Sequence, residues 1–374
     1  MNETNTRMRQ TLRAALVANT PTMLWGLPGI GKTQTIDQLV KSVGGHLYTL
    51  VLATSDPSDI GGIPWVSNDV VKYAPHEWAQ ECNEAAEAGK LVVVFLDEMN
   101  TAPVLNIAAA LTLIQDRKMG GFQLHPDIRF VMASNPPEAS AGGRELPAPA
   151  ANRMLHLPWE ADAAEYVQAL LHGWQPMVMP EVRPDNVQKN LGDIQMVVAG
   201  FLSAKPHMLM NMPDKETQAG KAWPSPRSWD MAIRTAAFAR SAGMGYEVEG
   251  ECFLAAIGTG AGSEYLTFAR DLDLPDPKDI LADPMHANMP DRTDQLFTVL
   301  ATLSKYVVDN MNDKTWEPYW KYMFRAADEV GVDVATIHAE YTTKMAVEKR
   351  KLEKLPRPDA KLLKPFIDIY KAAG

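Results

Sequence analysis

The fold is decided near the N-terminus by one short stretch, Gly26-Leu27-Pro28-Gly29-Ile30-Gly31-Lys32-Thr33. The stretch matches the pattern G-x-x-x-x-G-K-[ST] in full, in which the backbone N–H groups of a glycine-rich loop surround phosphate oxygens. The apolar residues 23–25 before it predict a buried strand, and residues 33–43 after it predict a helix. A strand that enters and a helix that leaves are the context this loop requires, because the helix N-terminus adds its dipole to the anion site.

The residues of this phosphate loop have distinct expected roles. Lys32 should reach the β- and γ-phosphates of a nucleoside triphosphate, and the hydroxyl of Thr33 should bind Mg²⁺. The predicted cofactors are therefore ATP and Mg²⁺. The predicted nucleotide-binding residues are Gly26, Leu27, Pro28, Gly29, Ile30, Gly31, Lys32, Thr33 and Gln34.

A pair of acids follows the most strand-like segment of the chain. Residues 91–96 are apolar throughout, as expected of a central parallel strand, and Asp97 and Glu98 come directly after them. Acidic residues commonly follow buried strands, so this pair indicates a functional site only because the chain also contains a phosphate loop. Asp97 is then expected to hold Mg²⁺, and Glu98 to orient or deprotonate an attacking water. Such a pair favours hydrolysis over transfer to a second substrate.

The pattern of elements changes once along the chain. Up to Trp159, short apolar strands alternate with helical stretches, which predicts an α/β fold with a parallel sheet; beyond it, helical periodicity dominates. We therefore predict a nucleotide-binding and hydrolysis domain over residues 1–160 and an all-helical lid domain with an extension over 161–343. Residues 344–374 form a predicted basic tail.

Composition and charge limit the classes of function. The 374 residues carry a formal charge of −10, with 46% hydrophobic and 22% charged residues, which excludes wholesale disorder. The tail alone carries +5, with nine basic and four acidic residues, so the rest carries −15. This balance disfavours nucleic acid as a partner, although the tail leaves it open. Two cysteines predict a reducing cytoplasm, and the lack of any long apolar run predicts no membrane association.

Three motifs together resemble those of AAA+ ATPases. They are the phosphate loop (Walker A), the acid pair Asp97-Glu98 (Walker B) and Ala133-Ser134-Asn135-Pro136 at the end of a predicted strand. Within that group the chain resembles the MoxR-type branch with its CbbQ, NorQ and GpvN relatives. Residues 56–62 with a predicted hairpin at 63–73 resemble the branch's insert in helix 2, and residues 120–126 its insert before the sensor strand. The resemblance covers roughly residues 10–240 and implies a P-loop AAA+ domain followed by a helical lid.

Three further residues acquire roles from this resemblance. Asn135 matches the sensor-1 position, which helps to hold the attacking water. Arg153 matches the arginine finger, which is donated across a subunit interface, and Arg227 matches sensor 2 at the start of a lid helix. Ala151-Asn152 replaces the family's usual Leu-Asp before the finger, and Met154 replaces Phe. Arg144 in the preceding glycine-rich loop competes with Arg153 for the finger role.

The resemblance also implies a function and partners. It implies Mg²⁺-dependent ATP hydrolysis by a homo-hexameric ring that remodels or activates a protein client, with a von Willebrand factor A (VWA) domain protein as partner. One alternative is an AAA+ motor that acts on nucleic acid. The other is a nucleotide-gated assembly scaffold with negligible turnover.

Overall fold

The chain divides into two compact units in the computed structural model. The first comprises Met1–Leu191 and Met208–Ser263, and the second Gly192–His207 and Glu264–Gly374. The structure describes residues 3–140, 143–173, 178–272, 274–290, 292–349, 354–358, 363, 364 and 366. Much of the predicted basic tail, from Arg350 onward, lies outside the described residues.

The strands of the described residues all belong to the first unit. They are β1 (Thr22–Trp25), β2 (His46–Val51), β3 (Ile63–Ser67), β4 (Val70–Ala74), β5 (Val92–Asp97), β6 (Lys118–Met119), β7 (Phe122–Gln123), β8 (Ile128–Ser134) and β9 (Leu155–Pro158). Five of them form a parallel sheet in the order β2-β5-β8-β1-β9. The phosphate loop follows β1 and the acid pair ends β5, so both lie at the carboxyl edge of this sheet. That edge is where parallel α/β sheets bind ligands.

Helices account for most of the remaining described residues. They are α1 (Glu3–Val17), α2 (Lys32–Ser42), α3 (Pro57–Gly61), α4 (Glu77–Glu87), α5 (Val104–Asp116), α6 (Ala148–Ala151), α7 (Ala163–His172), α8 (Pro184–Ala204), α9 (Glu216–Ala219), α10 (Pro226–Ser241), α11 (Tyr246–Arg270), α12 (Pro277–Ala282), α13 (Thr293–Asp309), α14 (Asp313–Glu329) and α15 (Val332–Glu348). Within α11, Gly258 has a non-helical φ of 80°. A Cβ at that position would meet the carbonyl oxygen of Ala222 at 2.5 Å, so the helix is interrupted where only glycine fits.

The core of the first unit explains why the central strand reads as continuously apolar. In β5, Val92, Val94 and Leu96 pack in one buried cluster with residues of α4 and α5. Val93 and Phe95 alternate with them and are also fully buried. Helix α2 packs against β2 and β5. Because β5 is buried on both faces, the polar acids that follow it mark the strand's end at the sheet edge.

The predicted fold class, a parallel-sheet α/β domain followed by helices, is confirmed. Its last strand ends at Pro158, next to the predicted change at residue 160. The compact units do not divide there, because α10 packs against α1 and so belongs to the first unit. The predicted start of the tail at residue 344 lies inside α15, so the helical region continues past that boundary.

The predicted hairpin at residues 63–73 is present. Strands β3 and β4 pair antiparallel around Asn68 and Asp69, which both have positive φ, as a tight two-residue turn demands. Strands β6 and β7 form a shorter antiparallel pair. The β3–β4 hairpin exposes large apolar side chains, among them Trp65 and Val66.

The second unit is helical and is centred on aromatic residues of α14. The hydroxyl of the buried Tyr319 lies 3.0 Å from Ser304 Oγ and 2.9 Å from Thr342 Oγ1, and it donates to the carbonyl oxygen of His338. None of the described helices combines the length and the apolar character that a bilayer crossing requires.

Acid should weaken the second unit through His338. Burial lowers the pKa of this imidazole to about 4, and the unfolded chain would titrate near 6.5. The unfolded state therefore binds more protons between these values, and stability falls as the pH drops through that window. We expect the free energy of unfolding of this unit to lose about 3 kcal/mol more in wild type than in His338→Leu between pH 6.5 and 4. Urea titrations read by hydrogen exchange of α13 to α15 measure this difference, and parallel pH slopes would contradict it.

Candidate nucleotide site

The phosphate loop has a backbone that its glycines make possible. Gly29 and Gly31 adopt φ values of 81° and 86°, in the left-handed region that other residues rarely enter. At Gly26, a Cβ would meet the carbonyl oxygen of Trp159 at 2.3 Å. The N–H of Gly26 donates to the carbonyl oxygen of Ser134 at 3.2 Å, which ties the loop to the end of β8. The loop therefore lies against two neighbouring strand ends.

Lys32 lies inside this loop and is largely buried. Its Nζ donates to the carbonyl oxygens of Gly26 and Leu27 and, at 2.8 Å, to Asn135 Oδ1. Burial lowers the pKa of Lys32, and the charge of Asp97 opposes that shift. The structure thus brings together the predicted phosphate-binding lysine and the predicted sensor-1 residue.

The predicted metal-binding oxygens also meet. Thr33 Oγ1 donates to Asp97 Oδ2 at 3.1 Å, across the gap between α2 and the end of β5. A hydroxyl and a carboxylate side by side are the few oxygen ligands that proteins commonly provide for Mg²⁺ beside a nucleotide. The donor set therefore fits the predicted ion.

Glu98 ends the central strand in an unusual conformation. Its φ is 56°, and its N–H donates to Asp97 Oδ1 at 2.9 Å. Left-handed backbone at a residue other than glycine is strained, and such strain is concentrated at functional sites. The side chain is exposed at the sheet edge. The turn therefore separates the two acids, with Asp97 directed to Thr33 and Glu98 open to solvent.

Asn100 is a site residue that sequence reasoning missed. It is buried, its Nδ2 donates to the carbonyl oxygen of Asn135 at 2.8 Å, and its N–H donates to Ser134 Oγ. Its own carbonyl oxygen accepts from the N–H of Arg144. The signal available was its place two residues after the acid pair. Asn100 thus holds the sensor-1 residue relative to the acids.

Replacing Asn100 with alanine should therefore slow turnover as well as destabilise the fold. We expect a loss of about 1–3 kcal/mol in the free energy of unfolding, because buried backbone groups lose their partners. We expect turnover to fall about 10-fold, because Asn135 loses its support. Asn106→Ala is the matched control, since Asn106 is also buried and its Nδ2 donates to the carbonyl oxygens of Leu52 and Ser55. Equal turnover in the two variants would contradict this role.

The two predicted arginines lie at the other edge of the sheet. Arg153 lies two residues before the start of β9. Strand β9 pairs parallel with β1, and Leu155 lies opposite Thr22. The length of β1, roughly 10 Å, therefore separates Arg153 from the loop of its own chain. Arg153 donates to Gln115 Oε1 and to the carbonyl oxygen of Pro149. Burial, and secondly the charge of Arg227, lower its pKa.

Asn152 joins these two arginines and explains a departure from the family pattern. Its Nδ2 donates to the carbonyl oxygen of Trp223 at 2.9 Å, and its Oδ1 accepts from Ser225 Oγ at 2.5 Å. Ser225 is the N-cap of α10, with Pro226 at the first helical position. The amide of Asn152 can donate and accept at once, which a carboxylate cannot. The start of the helix that carries Arg227 is therefore anchored beside Arg153.

Arg144, the competing arginine, is exposed and lies elsewhere. Its backbone N–H is bound to Asn100, which follows the acid pair, so it belongs to the carboxyl edge of the sheet. Arg144 and Arg153 thus lie at opposite edges.

Residues 21–154 match the family model described as AAA domain (dynein-related subfamily). The matched segment runs from β1 to the residue after Arg153 and includes the phosphate loop, the acid pair and Asn135. This segment is thus similar to an AAA domain, and it lies within the first unit.

The chain is also similar to two curated proteins and to one solved structure. Phosphatidylcholine-sterol acyltransferase from Homo sapiens and from Papio anubis are each 30% identical to it over 111 residues, or 29% of this chain and 24% of theirs. The chain thus spans about a quarter of the length of the curated relatives it matches. A protein from Cytophaga hutchinsonii assigned as an ATPase aligns over 72% of this chain and 90% of its own, with 15% identity and a TM-score of 0.46. The similarity to AAA domains rests on the family match over residues 21–154.

Proposed function

We propose that this AAA+ domain completes its ATPase site only when copies of the chain associate head to tail. The observation that carries the proposal is the separation of Arg153 from the phosphate loop of its own chain by the length of β1. A guanidinium at the far edge is available to the loop of a neighbouring copy. The assembly we propose is a homo-hexameric ring of the MoxR type, since the motifs resemble that branch.

Within the site, each residue has one proposed task. Lys32 and the backbone of the loop bind the phosphates of ATP, while Thr33 and Asp97 hold Mg²⁺. When bound, that ion withdraws negative charge from the phosphate oxygens. Glu98 accepts a proton from the attacking water, and Asn135 orients that water from the opposite strand end.

Arg153 and Arg227 act, in this proposal, on the nucleotide of the neighbouring copy. The charge of Arg227 contributes, after burial, to the lowered pKa of Arg153, and Asn152 anchors the start of α10 beside the finger. Two guanidiniums directed at one triphosphate would stabilise charge that develops during hydrolysis. In this proposal the sensor-2 arginine, Arg227, acts beside Arg153 on the neighbour's nucleotide.

The energy of hydrolysis, we further propose, remodels or activates a protein client together with a VWA-domain partner. The exposed apolar β3–β4 hairpin supports a protein client, because surfaces of this kind mark contact sites. Nucleic acid is the alternative client, and DNA-stimulated hydrolysis with a steep salt dependence would favour it. Cys82 and Cys252 are buried free thiols, which agrees with work in the cytoplasm.

The mass of the assembly tests this function. We expect Glu98→Gln with ATP and Mg²⁺ to form an assembly with the mass of six chains of 41.2 kDa each. Removal of Mg²⁺ by chelation should return this assembly to single chains. Wild type under the same conditions should release phosphate steadily. A chain that stays at its single mass while it hydrolyses ATP at full rate would contradict the ring.

A further inference from the structure

His156 lies in the sheet between the carboxyl edge, where the phosphate loop begins, and the edge from which Arg153 leads into β9. His156 occupies β9, between Leu155 and Leu157, and is 8% exposed. Strand β9 pairs with β1, so this imidazole is adjacent to the strand that leads into the phosphate loop. A buried polar ring in an apolar strand needs partners for both of its nitrogens, because an unpaired one would be costly.

Both nitrogens of His156 have such partners. The indole Nε1–H of Trp25 donates to Nδ1 at 2.8 Å, and Nε2 lies 2.8 Å from the carbonyl oxygen of Ala151. An indole N–H can only donate, so Nδ1 must accept, and the ring proton must be on Nε2. Nε2–H therefore donates to Ala151. Burial lowers the pKa of His156 to about 4, so this neutral form holds at physiological pH.

The two partners belong to opposite edges of the sheet. Trp25 directly precedes Gly26, the first residue of the phosphate loop. Ala151 is the last residue of the four-residue helix α6 and lies two residues before Arg153. Carbonyl groups in the last turn of a helix have no donor within the helix, so the imidazole supplies one. One side chain thus connects the start of the phosphate loop to the end of the helix that leads into Arg153.

We propose that His156 is a positioning residue for Arg153, held in place by Trp25. A helix of four residues has little stability of its own, so outside bonds must define where it ends. A charge-stabilising donor must be held within a fraction of an ångström to act in the transition state. The inference rests on the proposed function, in which Arg153 serves a neighbouring copy. The inference adds that the position of Arg153 depends on β1, the strand that leads into the phosphate loop of the same chain.

Mixed assemblies test this inference. An acceptor chain carries Arg153→Ala and keeps its loop, while a donor chain carries Lys32→Ala and keeps its finger. Complete sites then form only between an acceptor loop and a donor finger. We expect His156→Phe in the donor to lower the turnover of the mixture at least 10-fold with an unchanged KM for ATP. The same substitution in the acceptor should change turnover less than twofold.

Three further donor variants sharpen the test. Trp25→Phe in the donor should lower the turnover of the mixture as much as His156→Phe does. The phosphate loop of the donor is already inactive, so the Trp25 substitution can lower turnover only through Arg153 of that chain. His156→Gln should recover most of the activity, since its amide N–H reaches about as far as Nε2. Trp78→Phe is the matched control, because it removes another buried indole N–H, which donates to the carbonyl oxygen of Asp59. It should change turnover less than twofold.

The outcomes separate the inference from the function on which it rests. Equal losses from His156→Phe in donor and acceptor would show general damage to the fold and overturn the positioning role. A donor that loses nothing would overturn it as well. An unmodified mixture without turnover, beside an active wild type, would instead overturn the proposal that the finger acts between copies, and the inference with it.

Discussion

Replacing Arg153 with alanine should lower ATP turnover of the assembled protein roughly 10³- to 10⁵-fold. In the proposed role, the guanidinium stabilises charge that develops only in the transition state, so the Kd for ATP should remain within about threefold of the wild-type value. The hydrogen bonds of Arg153 are near the surface, so the free energy of unfolding should fall by about 1 kcal/mol at most. Single-turnover phosphate release and a nucleotide-binding titration measure the two effects separately.

Arg144→Ala is the matched control for this prediction. Arg144 is an exposed arginine at the carboxyl edge of the sheet, attached through its backbone to Asn100. If Arg153 is the finger, removal of the Arg144 side chain should lower turnover less than 10-fold. The reverse ranking, with the larger loss in Arg144→Ala, would assign the finger to the loop before α6.

Glu98→Gln should lower turnover about 10²- to 10⁴-fold, which is the usual contribution of a general base. The amide has nearly the same shape as the carboxylate but cannot take the proton from water. Because Glu98 is exposed and its backbone N–H donates to the side chain of Asp97, we expect the left-handed conformation and the Thr33–Asp97 contact to persist. ATP binding should therefore remain, and ATP should stay unhydrolysed on the protein.

Glu87→Gln at the end of α4 makes the same chemical change on an exposed surface and serves as its control. Phosphate release at saturating ATP should be unchanged in that variant. Comparable rates for Glu98→Gln and wild type would remove Glu98 from the chemistry and favour a scaffold that binds nucleotide without turning it over.

The carboxyl-edge part of the site could be predicted from sequence because its parts are local. The phosphate loop is one uninterrupted motif, and the acid pair ends a strand that its apolar run already identifies. Parallel strands bring their carboxyl ends to one edge, so the contact between Thr33 and Asp97 follows from topology.

The supporting residues could not be predicted in the same way. Asn152 binds residues more than 70 positions away, and the partner of His156 lies 131 positions away in β1. No spacing rule connects such residues before the fold brings them together. The predicted start of the tail at residue 344 fell inside α15 for a different reason, since three threonines and three valines weaken its helical signal and its stability comes from packing on α13 and α14.

The placement of Arg153 and the phosphate loop at opposite edges of one sheet has a consequence for partly formed assemblies. In the proposed head-to-tail assembly, each chain offers a different half of a site at each end, so a two-fold dimer could not complete both halves. An open arc of chains would always have one complete site fewer than it has chains. In a closed ring, the number of complete sites would equal the number of chains. The activity per chain should then rise with protein concentration in a stepwise manner, with the steepest gain where the last copy closes the circle.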